Sequence, residues 1–237
     1  MDERIKRYEG MPIPAPVPDD GWEPGDAQEC GEAVLDITGL NPRIDFDASY
    51  RKAGIAGALT HCYVRAGVYD RLCSALALLP EEYSFLIYDS LRPQRVQQAL
   101  YDDYYAKMQA EHPNATPEEL ESITDEFVAL PLTNPLRPSS HQSGGAVDLT
   151  LCRGGVPMEM GTVFDEFAPI AHTDWFEREG MDETVRRNRR VLYHVMREAG
   201  FTNYECEWWH YDWGDRSWAR RNHCASIYTF SDSPELF

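Results

Sequence analysis

Two histidines and one aspartate stand in settings that suit a catalytic metal ion. His141 and Asp148 flank the Gly144-Gly145 pair, so a loop can present the imidazole while the strand after it presents the carboxylate. His210, in the segment that starts at Glu207, supplies a third ligand beside an acid and two tryptophans. Two imidazoles and one carboxylate with an open fourth position are typical of catalytic zinc, whereas structural zinc usually has four cysteine-rich ligands. The residues therefore predict one zinc ion per chain and a hydrolytic reaction.

The acid of this set lies on a predicted strand. Apolar side chains at positions 147, 149 and 151 alternate with polar ones at 148 and 150. This alternation is typical of a strand with one apolar and one polar face. Asp148 belongs to the polar face, where it can meet an imidazole from the preceding loop.

The segment 206–211 is also strand-like, and it carries both Glu207 and His210. Residues three apart on a regular strand point to opposite faces. The two side chains can share one metal site only if a bend or bulge separates them. We therefore predict a backbone distortion at Trp208-Trp209.

Hydrophobic spacing predicts the elements around these residues. The spacing and capping patterns indicate helices over 68–79, 93–112, from Thr116 onward and 182–198, with a buried strand over 83–88. The prolines of the first thirty residues predict an extended arm. The chain is accordingly divided into a Pro-rich arm over 1–35, a catalytic domain over 36–230 and an acidic tail over 231–237.

Composition narrows the class of protein. The 237 residues carry a net charge of −18, which argues against a nucleic-acid partner because phosphate binding needs clustered cations. No apolar run is long enough for a membrane span or a signal sequence, so we expect a cytoplasmic protein without a membrane partner. Six cysteines without any C-x-x-C pair favour neither a zinc ribbon nor a redox pair. We expect most of them to be buried, without disulfides.

Several motifs together resemble one known family. They are Asn41-Pro-Arg-Ile-Asp-Phe-Asp47, Tyr88-Asp-Ser-Leu-Arg-Pro93, Ser139-Ser-His141 with Asp148-Leu-Thr-Leu151, Met160-Gly-Thr-Val-Phe-Asp165, Asn188-Arg-Arg190 and Glu207-Trp-Trp-His-Tyr211. In this order they resemble the VanX-type D-alanyl-D-alanine dipeptidases, zinc peptidases with a hedgehog-like fold. The resemblance spans roughly residues 36–211. It implies an α+β fold with one compact domain, in which helices flank an antiparallel sheet.

The resemblance also implies roles for matching residues. It implies zinc ligation by His141, Asp148 and His210, and proton transfer by Glu207. Arg92 would polarise the scissile carbonyl of the substrate. The positions of Ser139 and Asp165 correspond to contacts with the free amino group of a small dipeptide, so the implied reaction is hydrolysis of D-alanyl-D-alanine. The family often has Gly-Tyr at the positions of Ser90-Leu91 in this chain. The resemblance assigns no role to the arm or to the 102–131 stretch.

Two other functions remain open at this point. A D,D-carboxypeptidase would use the same metal chemistry on longer peptidoglycan stem peptides. A zinc-stabilised binding module would use the metal only to hold the fold, and the presence of Glu207 and Arg92 argues against that alternative. Amine recognition by Asp165 distinguishes the two enzymes, because longer chains carry a neutral amide where a dipeptide carries a cation.

Overall fold

The computed structural model describes residues 2–125, 127–131 and 134–231. Most of the predicted acidic tail lies outside these residues. The described helices are α1 Glu3–Gly10, α2 Ser49–Lys52, α3 Ala66–Ala77, α4 Gln94–Glu111, α5 Pro117–Asp125, α6 Ser140–Ser143, α7 Glu183–Glu198 and α8 Arg216–Asn222. The described strands are β1 Val34–Asp36, β2 Ile44–Phe46, β3 Tyr63–Arg65, β4 Tyr83–Asp89, β5 Ala146–Arg153, β6 Val156–Pro157, β7 Thr202–Asn203 and β8 His210–Asp212.

The main sheet has the strand order β2-β4-β5-β8-β7, with β6 paired to the end of β5. All of its pairs are antiparallel except β2 with β4, which run parallel. Strands β1 and β3 form a separate antiparallel pair. The α+β class with an antiparallel sheet flanked by helices is confirmed, and the β2 edge adds one parallel pair.

Strand β5 separates the core from the site, as the alternation of its residues predicts. Its apolar residues Val147, Leu149 and Leu151 belong to the main hydrophobic core. Helices α3 and α7 contact each other and cover this face of the sheet. The polar residue Asp148 is also buried, but it lines a cavity on the other side. Both faces of the strand are therefore covered.

A β-bulge in β4 aligns three residues across the sheet. The pairing shifts between Ile87 and Asp89, so that Asp89 lies opposite Asp148. On the other side of β5, Asp148 lies opposite His210 of β8. Bulges redirect side chains and are frequent beside functional sites. Here the bulge ends a regular strand at the point where the chain continues to Arg92.

The first part of the predicted arm is a helix, and the expectation of an extended arm is wrong there. Helix α1 begins at Glu3 after Asp2, whose carboxylate accepts a hydrogen bond from the Arg4 backbone at 2.8 Å. Ile5 and Tyr8 are buried in the main core, and α1 contacts α7. An eight-residue helix is marginal by itself, so this packing stabilises it. Residues 11–33 form no helix or strand, as predicted, whereas the last two residues of the arm belong to β1.

Other local predictions have mixed outcomes. The predicted helices over 68–79, 93–112 and 182–198 correspond to α3, α4 and α7. Thr116 and Glu119 exchange the two hydrogen bonds of a capping box at the start of α5. The described residues include all six cysteines and no disulfide, but only Cys62 and Cys152 are buried, so the expectation that most are buried is wrong. Within the described ranges, no helix is long and apolar enough to cross a bilayer.

Replacement of Ile5 tests whether α1 is an integral part of the domain. Ile5 is 2 % exposed, and loss of a buried isoleucine side chain leaves a cavity, so Ile5→Ala should lower the free energy of unfolding by about 2–4 kcal/mol. The strongly exposed Val17 provides the control, for which Val17→Ala should change it by less than about 0.5 kcal/mol. Urea denaturation of the full chain measures both. Equal, small effects would contradict the packing of α1.

Candidate metal centre

His141, Asp148 and His210 bring three ligand atoms together in the interior. These atoms all lie within 4.8 Å of one another, and all three residues are buried. His141 Nε2 lies 3.2 Å from Asp148 Oδ2, and His210 Nδ1 lies 2.9 Å from Asp148 Oδ1. The two imidazole rings stand nearly perpendicular, with centroids 5.0 Å apart. Such an arrangement can hold one metal ion between two nitrogens and a carboxylate oxygen.

The outward nitrogen of each imidazole has its own acceptor. His141 Nδ1 lies 2.8 Å from the backbone oxygen of Ser90. His210 Nε2 lies 2.8 Å from Asp212 Oδ1. The other nitrogen of each ring faces Asp148, and it is the nitrogen that a metal ion between these groups would bind. Metal-binding histidines commonly have such partners, which fix the ring orientation and the tautomer.

Carboxylates dominate the electrostatics around these three residues. Burial opposes the charged form of His210, but the carboxylates of Asp212 and Asp148 raise its pKa well above its ordinary value. Burial likewise opposes ionisation of Asp148, but His141 and His210 hold the pKa of this carboxyl below its usual range. The site therefore favours a positive charge at its centre, which a divalent cation can supply.

The predicted distortion at Trp208-Trp209 is confirmed as a turn. Strand β8 begins only at His210, and the His210 backbone N–H donates to the Glu207 oxygen at 3.3 Å. The prediction of a strand over 206–209 is wrong, because this turn replaces it. Trp209 is fully buried, and Trp208 donates from its indole to Thr162 at 2.7 Å. The turn brings Glu207 Oε2 to 3.9 Å from His210 Nδ1.

Arg92 lies in the same cavity, held by three side chains. Its guanidinium donates to Asp89 at 2.9 Å, to Gln97 at 3.0 Å and to the Tyr50 hydroxyl at 3.2 Å. The arginine is therefore salt-bridged, as an arginine at a helix start often is, and it also lines the cavity. Because these partners use several of its donors, its orientation is fixed before any substrate binds.

The two predicted amine contacts, Asp165 and Ser139, also line the cavity. Asp165 has a left-handed backbone with φ of 60°, and Tyr50 donates a hydrogen bond to it. Burial and the neighbouring Asp148 raise the pKa of Asp165 to about 8. Ser139 caps helix α6, and its hydroxyl donates to Gln142 Oε1 at 3.0 Å. The structure thus brings all seven predicted site residues to one cavity of about 890 Å³.

Sequence reasoning missed Asp212 and Tyr50. Asp212 follows His210 by two positions on one strand, so the alternation of side chains could have placed them on one face. Tyr50 lies 42 positions before Arg92, its hydrogen-bonding partner. No local pattern links these two residues, because tertiary structure alone brings α2 against β4.

Comparison with known proteins defines the family. A family model described as D-ala-D-ala dipeptidase matches residues 58–227. The chain belongs to the D-Ala-D-Ala dipeptidase family. A family member from Synechocystis, named D-alanyl-D-alanine dipeptidase, is 32% identical over 92% of this chain and 91% of its own length. Proteins of the same name from Enterococcus faecium and Escherichia coli are 32% and 26% identical, over 54% and 76% of this chain and 61% and 83% of their own lengths.

The similarity of this chain to solved structures is low. A zinc complex of a variant of the vancomycin-resistance D,D-pentapeptidase VanY has a TM-score of 0.41 and 17% identity, over 70% of this chain and 83% of that chain. VanYB in complex with D-Ala-D-Ala has a TM-score of 0.42 and 17% identity, over 70% of this chain and 82% of that one. The assignment therefore depends on the family and sequence matches. Membership of the D-Ala-D-Ala dipeptidase family confirms the predicted zinc metallopeptidase and argues against a non-catalytic binding module.

Removal of the Asp212 carboxylate tests the metal centre. Asp212→Asn should weaken divalent-metal affinity by roughly 10- to 100-fold, because the outward nitrogen of His210 loses its charged partner. Asp45 is exposed on β2 and lies outside the cavity lining, so Asp45→Asn should leave the affinity unchanged. Competition with a chelating dye measures both. An unaltered affinity in Asp212→Asn would refute the supporting role of this residue.

Proposed function

We propose that the enzyme hydrolyses the dipeptide D-alanyl-D-alanine to two molecules of D-alanine. The observation that carries the proposal is the single cavity that combines the candidate ligand group with Glu207, Arg92 and Asp165. The family match and the Synechocystis relative support the same reaction. The D,D-carboxypeptidase alternative uses the same metal chemistry, and Asp165 favours the dipeptidase.

We assign the zinc ion to His141, Asp148 and His210. The donor set fits this ion, because two nitrogens and one carboxylate oxygen converge and the outward nitrogens have acceptors at 2.8 Å. A bound zinc ion supplies a Lewis acid for the scissile carbonyl and lowers the pKa of a bound water to about 7. Three protein ligands leave a coordination position for that chemistry, as in other catalytic zinc sites.

Glu207 is the proposed general base and acid. Burial and the neighbouring Asp148 raise its pKa to about 7, against the lowering effect of His210. A group with this pKa can accept a proton from water and return it to the leaving amine near neutral pH. The turn at Trp208-Trp209 supports this role, because it directs the carboxylate toward the ligand group.

Arg92 is the proposed stabiliser of the developing oxyanion. Its side chain is only 11% exposed, and a guanidinium in such a water-poor site interacts more strongly as negative charge develops. Asp89, Gln97 and Tyr50 hold the group in place. Little reorganisation is then needed when the carbonyl becomes tetrahedral.

Asp165 is the proposed anchor for the substrate's ammonium group, and Ser139 the proposed neighbouring contact. A buried carboxylate is costly without a cation, and a dipeptide ammonium supplies that cation. A stem peptide has a neutral amide at the corresponding position, so it leaves the carboxylate unpaired. This difference supports a dipeptidase over a D,D-carboxypeptidase.

Replacement of the base tests the proposed mechanism. Glu207→Gln should retain zinc and lose roughly 10²- to 10⁴-fold in kcat/KM for D-alanyl-D-alanine, because no group then moves the proton. Glu205 is the matched control, since it lines the same cavity but pairs with Arg221. Glu205→Gln should stay close to the original activity. Metal analysis and D-alanine release are measured on the same samples, and undiminished turnover in Glu207→Gln would eliminate the proposed base.

Replacement of the anchor tests the substrate class. Asp165→Asn should raise KM for D-alanyl-D-alanine by roughly 10- to 100-fold, because a charge-assisted hydrogen bond is lost. With a pKa of about 8, Asp165 is protonated at lower pH and binds the ammonium as it ionises. The kcat/KM of the original enzyme should therefore rise between about pH 7 and 9 through this group.

The pH dependence of kcat/KM distinguishes the ionisation of Asp165 from that of neighbouring groups. In Asp165→Asn, kcat/KM should no longer rise with the ionisation of this carboxyl. Asp174 lines the same cavity and provides the control, so Asp174→Asn should keep the full rise. Rates for D-alanyl-D-alanine and its N-acetylated form are measured across the range. A preference of the original enzyme for the acetylated form would favour the carboxypeptidase instead.

A further inference from the structure

The segment Ile13–Asp20, which we call the strap, forms part of the wall of the catalytic cavity. All eight of its residues line the cavity that contains His141, Asp148 and His210. It contains no helix or strand. The reaction proposed above assigns it no role, so its position calls for a separate explanation.

The first end of the strap is attached to helix α7 and the segment before it. The Ile13 backbone N–H donates to Glu177 Oε1 at 3.1 Å. His194 of α7 lies with Nε2 2.9 Å from the Met11 backbone oxygen. Arg190 binds Glu177 and also donates to the Glu9 backbone oxygen at 2.9 Å. This end therefore continues directly from the packed helix α1.

The second end is attached to helix α8 and the residue that follows it. Asp19 forms an ion pair with Arg220. Asp20 lies 3.0 Å from His223 Nε2. Trp22 stacks on the His223 ring, with the ring centroids 5.2 Å apart. The strap is thus held at both ends by the body of the domain.

The middle of the strap is a stiff bridge with an exposed outer side. Prolines stand at positions 14, 16 and 18, where they fix φ and keep the residue before each of them extended. All residues from 14 to 18 are exposed, and Val17 is 80 % exposed. Six extended steps between Ile13 and Asp19 reach roughly 19 Å at ~3.1 Å per residue. The bridge therefore connects its attachments at α7 and α8 without being packed into the core.

The strap lies on the side of the site opposite the amine anchor. Tyr50, which binds Asp165, belongs to α2 at the β4 side of the sheet. Helices α7 and α8 contact β7 at the opposite edge. Tyr204 follows β7, and its ring centroid is 6.1 Å from that of His210. A dipeptide with its ammonium at Asp165 and its scissile carbonyl at the candidate metal ligands would have its carboxylate on the side away from Asp165, which is the side of the strap.

We propose that the strap is a specificity determinant that excludes peptides extended at the carboxyl end. This inference rests on the proposed function and completes it. Asp165 selects against extension at the amino end, and the strap blocks extension at the carboxyl end. The strap lines the same cavity as the candidate metal ligands, and an additional residue at the carboxyl end of the substrate would run against the bridge between α7 and α8.

Two peptides that differ only in length test the proposal. D-Alanyl-D-alanine and D-alanyl-D-alanyl-D-alanine both carry the free ammonium that Asp165 binds. The original enzyme should cleave the first peptide bond of the tripeptide at least about 100-fold less efficiently than the dipeptide. The triple variant Pro14→Gly, Pro16→Gly, Pro18→Gly should lower this discrimination by roughly tenfold or more, because a flexible bridge yields to the longer chain.

A second variant and a control keep the test independent of folding. Asp19→Asn with Asp20→Asn detaches one end and retains the prolines, so it should also lower the discrimination. Pro113→Gly changes an exposed proline outside the cavity lining and should have no effect. Limited proteolysis within 13–20 verifies that the strap is loosened.

The possible results of these experiments distinguish the strap proposal from the proposed reaction. A loosened strap with unchanged discrimination in either variant would overturn the strap proposal and leave the hydrolase intact. Equal cleavage of both peptides by the original enzyme would do the same. Inactivity of the zinc-loaded original enzyme toward both peptides would overturn the proposed function, and the strap proposal with it.

Discussion

The carboxylate of Asp148, buried on the central strand of the sheet, is the constraint on which the rest of the site depends. An isolated carboxylate in the interior is costly, and here the imidazoles of His141 and His210 face both of its oxygens. Strand β5 places it between β4 and β8, which supply Asp89 and His210 as its cross-strand neighbours. The same strand buries its alternate residues in the core, so a shift of register would disrupt the core and the site together.

The sheet also gives the cavity two chemically different sides. Tyr50, Arg92 and Asp165 lie beyond β4, where they form a hydrogen-bonded network of charged and polar groups. Beyond β8 lie β7 and the two helices that hold the strap. In the proposed reaction the ammonium end of the substrate meets the first of these sides, and the strand order of the sheet keeps the two sides apart.

Patterns within the sequence predicted the parts of the fold that depend on local interactions. The alternation around Asp148 predicted β5 and its two faces, and the incompatibility of Glu207 and His210 on one regular strand predicted the turn between them. Helix α1 was missed because its short length gives it little stability without the burial of Ile5 and Tyr8. The parallel pairing of β2 was missed because it joins strands far apart in sequence.

The site was predictable to a similar degree. Three candidate ligands could be chosen because glycines and alternating residues surround two of them, and the family resemblance supplied candidates for the other positions. Tyr50 and the Ser90 carbonyl remained hidden, because a backbone oxygen and a distant tyrosine leave no residue pattern around His141 or Arg92. Tertiary contacts alone define them.

The two attachments of the strap differ in their response to ionic strength. Hydrogen bonds among partly buried groups hold the Ile13 end, and dissolved salt screens such contacts little. The exposed ion pair of Asp19 with Arg220 and the contact of Asp20 with His223 hold the other end, and dissolved salt screens an exposed ion pair strongly. Concentrated electrolyte therefore weakens the Asp19 contact before the contacts of Ile13, whereas the stacking of Trp22 on His223 persists. Under the role proposed for the strap, discrimination between short and extended peptides then becomes sensitive to ionic strength.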